Sequence, residues 1–204
     1  MTTSGRIELM APAGNFESLQ AALDNGCDSI YFGVEQLNMR ARATVNFVLE
    51  DLPEIARRCN EKNVRTYLTL NTIIYDHDLS IVKTLLTKAK EAGITAVIAS
   101  DQAVIMTART MGIEVHISTQ LNVTNIETVK FYAMFADTIV LSRELSLRQV
   151  KKITDDIEKE QIKGPSGNLV EIEIFGHGAL CMAVSGKCYL SLHSHNSSAN
   201  RGAC

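Results

Sequence analysis

The sequence has no apolar run approaching the roughly 18 residues that a membrane-spanning helix needs, so no membrane partner is expected. It has no long block of positive charge either. No Lys/Arg run exceeds two residues and the net charge is −3, so bulk charge does not advertise nucleic acid, although a local basic groove remains compatible with it. The start, M-T-T-S-G-R-I-E-L-M, lacks a positive segment followed by an apolar one, which argues against a signal peptide and for a cytoplasmic protein. Disulfides are then not expected, and clustered cysteines point to metal binding or redox chemistry. No G-x-G-x-x-G follows the first apolar stretch, which weakens a dinucleotide-binding reading. Neither G-x-S-x-G nor H-E-x-x-H occurs, so serine hydrolases and zincins lack their usual marks.

What is present reads as a soluble globular chain, with 46% apolar and 21% charged residues. Strand and helix patterns alternate along it. Strands are expected at Ile7–Met10, Ser29–Val34, Arg65–Leu70, Ala96–Ala99, Glu114–Ser118, Thr138–Leu141 and Leu169–Phe175. Helices are expected at Phe16–Asn25, Asp51–Lys62, Leu79–Ala92, Gln102–Met111, Ile126–Phe135 and Leu147–Gln161. Asn15, Asp101 and Ser146 stand where helix caps belong, and Thr124-Asn125-Ile126-Glu127 fits a capping box. Continuous apolar strands joined by amphipathic helices imply a parallel sheet, either doubly wound or closed as a (β/α)8 barrel of the TIM type. The regular pitch of the units favours the barrel. A complete barrel takes about 250 residues, so the expectation is an incomplete one of about seven β/α units over 1–178. Residues 179–204 are then a cysteine-bearing loop that leads into a missing C-terminal part, to which the chain could dock.

In such a barrel the C-terminal ends of the strands share the face that carries the site. Polar residues stand at those ends: Asn71, Ser100, Asp101, Thr119, Gln120, Asn122, Ser142, Arg143, Glu144 and His177. Ser100 and Asp101 also read as helix-capping residues. Arg143 is a long cation suited to an anionic substrate group.

The cysteines are the sharper signal. Three of the five fall in the last eighth of the chain. Cys27 and Cys59 read as small buried hydrophobes. Cys181 and Cys188 lie in a Gly-rich loop with Lys187 and His177 near in sequence, a setting that stabilises thiolates. Their spacing is wider than the short pairs of structural zinc sites. With Cys204 downstream, it suits an iron–sulfur cluster held by thiolates across a folded loop. A fourth ligand would lie beyond the chain, or His193 or His195 would replace it. Two other readings stay open: His177 and Cys181 as base and nucleophile of a thiol hydrolase, and the cysteines as a structural metal clip.

The stretch E-I-F-G-H-G-A-L-C-M-A-V-S-G-K-C-Y-L-S resembles the signature of the collagenase-like peptidase family of unknown catalytic type (peptidase family U, number 32). The matching positions are Glu173, Phe175, Gly178, Ala179, Leu180, Cys181, Gly186, Cys188, Leu190 and Ser191. L-M-A-P-A-G-N, Y-F-G, N-M-R-A, S-T-Q-L-N, L-S-R-E-L-S and A-N-R-G-A-C extend the resemblance along the chain. Val184 stands where many relatives carry an aromatic residue. The resemblance implies either collagen degradation or oxygen-independent hydroxylation with a 4Fe–4S cluster and prephenate as hydroxyl donor. The hydroxylated substrates are a tRNA wobble uridine, ribosomal RNA or a ubiquinone precursor. M-R-A-R and H-G-A-L-C-M-A are most similar to the tRNA branch. On that footing Cys181, Cys188 and Cys204 are cluster ligands. Arg143, His177 and Gln120 are expected in catalysis, and Asn71, Asn122, Glu144 and Glu173 in binding the donor or the flipped base of an RNA.

Overall fold

The structure is a computed structural model. It describes residues 7–34, 37–38, 47–178, 181, 183–185 and 188–202. Seven strands and seven helices are assigned among them. In order they are β1 (Met10–Pro12), α1 (Phe16–Asp24), β2 (Ser29–Phe32), α2 (Leu52–Glu61), β3 (Arg65–Leu70), α3 (Leu79–Ala92) and β4 (Ala96–Ala99). Then come α4 (Gln102–Thr110), β5 (Glu114–Ile117), α5 (Ile126–Ala133), β6 (Thr138–Val140), α6 (Leu147–Glu160), β7 (Glu171–Glu173) and α7 (Leu190–His195).

The helices start where short polar side chains can take up orphan amides. Asn15 accepts from the Ser18 amide at 2.8 Å, and Ser18 Oγ in turn accepts from the Asn15 amide at 3.1 Å. Asp101 caps α4 through Ala103 N–H at 2.9 Å. Ser146 and Gln149 form a capping box on α6. On α5 the cap is Asn125, which accepts from the Thr128 amide, rather than Thr124 as expected. Asn125 Oδ1 accepts from both the amide and the hydroxyl of Thr128, and Glu127 turns outward to Lys130.

The strands pair in sequence order, all parallel, to make one seven-stranded sheet curled into a half-barrel with the helices outside. This confirms the incomplete TIM-type architecture. β1 lies at Met10–Pro12 and not at Ile7–Met10; Ile7 is 89% exposed, and only the later residues register against Ser29–Tyr31. β7 is shorter than expected because Leu169 is drawn into an antiparallel bridge with Lys163, while Ile174 and Phe175 stand clear of the ladder.

Strand alternation divides the buried residues between two faces. Ile30, Leu68, Leu70, Val97, Val115, Ile117 and Ile139 face the helices and join the main core with Leu19, Ile55, Leu86 and Val104. Tyr67, Ala96 and Ile98 face the other way and form a separate inner cluster with Met10 and Tyr31. No helix among the described residues is long and apolar enough to cross a membrane.

Leu86 on α3 is fully buried, whereas Ile81 on the same helix is 38% exposed. Leu86→Ala should lower unfolding free energy by about 2–5 kcal/mol in urea melts. Ile81→Ala should change it by less than about 1 kcal/mol.

Candidate functional site

Because every strand runs the same way, the loops after β3 to β7 gather on one face. The loops after β5 and β6 are tied together there. Asn122 takes a left-handed conformation, φ 53°, which Asn tolerates better than most residues. Its Oδ1 accepts from Ser142 Oγ at 2.5 Å, and Thr119 Oγ1 donates to the Leu141 carbonyl at 3.3 Å. Gln120 sits in the 3₁₀ turn between them, half-buried. Asn71 follows β3, also half-buried. Asp101 is spent on the fold: besides capping α4 it accepts from Ile74 N–H at 3.0 Å.

The cysteine-bearing segment leaves β7 and crosses this face. Ser185, fully buried, donates its amide to Glu144 Oε1 at 2.8 Å. Its hydroxyl meets Arg143 Nε at 3.4 Å. Burial opposes charge on Glu144, but the Ser185 and Glu144 amides and Arg143 outweigh it and hold the carboxyl below its ordinary range. The segment then runs through half-buried Cys188 and α7 to a second attachment at Arg201. Arg201 Nη1 donates to the Ile73 carbonyl and to Asp78 Oδ2, both at 2.6 Å, and Nη2 reaches Asp78 Oδ1 at 3.3 Å. The guanidinium lies 5.0 Å from the Tyr75 ring centroid, and Ile73 N–H donates to the Asn200 carbonyl at 3.0 Å. The loop after β6 and the loop after β3 are thus bridged by one strap.

Cys181 lies on this strap, exposed. The Ala183 amide first, and then Arg143 against a burial cost, hold its thiol below the ordinary value. That is the behaviour of a metal-ligating or reactive thiol. Cys27 and Cys59 are buried core residues, as expected, with Cys59 pushed up to about 12 by burial. The donor chemistry of Cys181 and Cys188 fits iron–sulfur ligation, but no three His, Cys, Asp or Glu groups converge as a metal site among the described residues. Cys204, Lys187 and the M-R-A-R motif lie outside the described residues, as does the His195 side chain. His177 is exposed after β7, and His193 is exposed on α7. Arg143, and not His177, is the cation that acidifies Cys181 among the described residues.

Glu173 ends β7 and points inward. Burial raises its carboxyl to about 7, with His116 opposing. His116 on β5 is buried, its Nε2 3.1 Å from Glu114 Oε1 and its ring 4.4 Å from Tyr67. Tyr67 donates its hydroxyl to Glu8 at 2.8 Å, and Glu8 also pairs with Arg65. Beside β7, Ser142, Arg143, Leu145, Ile174 and Phe175 line a cleft of about 110 Å³.

Sequence reasoning missed Ser185, the Arg201–Asp78 pair and His116. Arg201 had a signal, since it lies in A-N-R-G-A-C. His116 had a weaker one, as a polar residue in the short strand E-V-H-I.

The family described as Peptidase family U32 matches residues 14–204. Over 97% of this chain and 48% of its own length, a Porphyromonas gingivalis protein named Collagenase is 57% identical. A Bacillus subtilis protein named tRNA hydroxylation protein P1 is 32% identical over 97% of this chain and 44% of its own. The chain therefore spans about half the length of the curated relatives it matches. A solved U32 peptidase superposes with a TM-score of 0.59 at 15% identity, covering 85% of this chain and 70% of that one, which supports the fold.

The Arg201 hydrogen bonds lower the Asp78 carboxyl below its ordinary 3.8. A depressed carboxylate contributes stability above its unfolded value and loses it as pH falls through the folded value. The strap should therefore stay latched at neutral pH and loosen only in acid, below about pH 4. Arg201→Ala should weaken the latch by about 2 kcal/mol. Hydrogen exchange should then quicken at Ile73 and in 189–202 but not in β4; unchanged exchange at Ile73 would refute the latch.

Proposed function

The chain belongs to peptidase family U32, and on that premise we propose that it is the barrel portion of an iron–sulfur RNA hydroxylase. The proposed reaction forms 5-hydroxyuridine at the tRNA wobble position with prephenate as hydroxyl donor. The observation that supports this best is the strap, which lays Cys181 across the open face of the barrel beside Arg143. The similarity to a protein named tRNA hydroxylation protein P1 points the same way.

In this reading Cys181, Cys188 and Cys204 hold a 4Fe–4S cluster, with the fourth ligand supplied from elsewhere. When bound, that group supplies redox-active iron at the face where the strand ends converge. The chain's own residues do the positioning. Arg143 and Glu144 grip Ser185 and so fix the loop that presents Cys181. Asn122, tied to Ser142, shapes the wall beside Gln120. Gln120, Asn71 and His177 stand at the rim, where a nucleotide flipped out of its stack would enter. Arg143 is then a thiolate partner as much as an anion receptor.

Peptide hydrolysis is the second reading, favoured by the 57% identity to the protein named Collagenase. Its weakness is that Cys181 is acidified by Arg143 and an amide rather than by a histidine among the described residues.

The full-length protein purified without oxygen should be brown and carry iron and sulfide, and Cys181→Ala or Cys188→Ala should lose both. Mass spectrometry of tRNA nucleosides from a deletion strain should show loss of 5-hydroxyuridine derivatives. Colourless protein that still modifies tRNA would sink the cluster. Gelatin cleavage that Cys181→Ala abolishes would favour the peptidase.

A further inference from the structure

A β/α barrel fills its interior in layers, each drawn from alternate strands and dominated by bulky branched apolar side chains. One layer here is different. Tyr67 on β3, His116 on β5 and Glu173 on β7 all face inward from odd-numbered strands. The Tyr67 and His116 rings lie 4.4 Å apart, and Glu173 is within electrostatic reach of both. At the N-terminal ends of the strands, partly exposed Glu114 meets His116 Nε2 at 3.1 Å, and Glu8 takes the Tyr67 hydroxyl and pairs with Arg65. Glu171 shares the inner face of β7 but is exposed. From the loops above, Arg143 and Glu144 are turned to Ser185.

His116 Nε2 is taken up by Glu114, while its Nδ1 is buried with no hydrogen-bond partner among the described residues. Burying an imidazole and a phenol beside a half-buried carboxyl costs stability that an apolar trio would not. Such clusters of perturbed groups belong to functional sites more often than to scaffolds. Position agrees with that. Glu173 is the last residue of β7, at the end where the barrel opens, while His116 is buried on β5 and Glu114, the first residue of that strand, is exposed at its other end.

We propose that Glu173 is a proton-transfer residue of the barrel-mouth site, and that His116, held by Glu114 and Tyr67, is the positioning residue that sets its charge state. The ligand is a heterocycle with an acidic N–H, as a pyrimidine imide has. The step moves one proton between that nitrogen and a Glu173 carboxylate oxygen; the nitrogen keeps the electron pair, and no oxidant takes part. The ligand's identity as an RNA base rests on the hydroxylase reading, but the titration of Glu173 does not. Glu173 held near 7 changes charge in the neutral range, as an acid–base group must.

Two measurements on the full-length protein decide it. A raised carboxylate costs stability as pH climbs from its unfolded value through its folded one. The wild-type melting temperature should therefore fall between about pH 4.5 and about pH 7, and Glu173→Gln should remove that fall. In tRNA hydroxylation, Glu173→Gln should cut kcat about 100-fold and erase the limb near neutrality. His116→Gln should shift that limb while leaving KM for tRNA within a few fold. If His116→Gln does not fold, Glu114→Gln, which frees Nε2, should shift the same limb. A Glu173→Gln protein with the wild-type stability profile overturns the proposal, as does one with wild-type kcat and pH limb. Wild-type protein inert toward RNA would overturn the RNA reading and the base as ligand, and the melting profiles would still decide whether Glu173 titrates.

Discussion

Parallel strands cannot be joined by tight turns, so each pair in this sheet requires a crossover, and six helices supply it between consecutive strands. That constraint governs everything else. Taken in sequence order with one hand, it curls the sheet, places the helices outside, and brings the C-terminal end of each strand to the same face. The loops after β5 and β6 meet through Asn122 and Ser142 because the register brings their strands side by side. A residue at the end of β7 likewise looks into the same space as residues on β3 and β5.

Two kinds of polar contact are built on that frame. The strap is fastened at its two ends, where Arg143 and Glu144 meet buried Ser185 and where Arg201, 30% exposed, meets buried Asp78. Loosening them leaves the apolar layer under the helices intact. The Tyr67–His116–Glu173 layer lines the inner face of the sheet, and burial raises both its phenol and its carboxyl. One device decides where the cysteines lie, and the other decides which groups change charge. Neither replaces the hydrophobic core, which sits on the opposite side of the sheet.

The fold was legible wherever local chemistry punctuates the chain. β3, α3 and β4 fall on the expected residues because Asp78 and the left-handed Gly93 bracket α3, and unbroken apolar runs mark the strands. The edges of β1 and β7 were not legible, since Ile7, Leu9, Ile174 and Phe175 look like strand residues yet lie outside the ladder. Part of the site could be read as well: Arg143, Glu144, Asn122 and Glu173 do gather at strand ends. What they bind to could not. Glu144 grips an amide 41 residues away, and Arg201 grips a carboxylate 123 residues away, pairings that no periodicity encodes. His116 was hidden for another reason. Which side of β5 faces inward follows only from how the sheet curls.

The separation between Asp78 and Arg201 also bears on the order in which the molecule is made. A chain grows from its N-terminus, and domains begin to organise as they emerge. Asp78 is in place, buried at the start of α3, long before its guanidinium partner has been polymerised. Until residue 201 is made, it is a carboxylate with only the Tyr75 amide and neighbouring His77 to meet it. The contact that fastens the far end of the strap thus forms only after the residues of all seven strands have been made, and the face beneath it stays unlatched until residue 201 arrives.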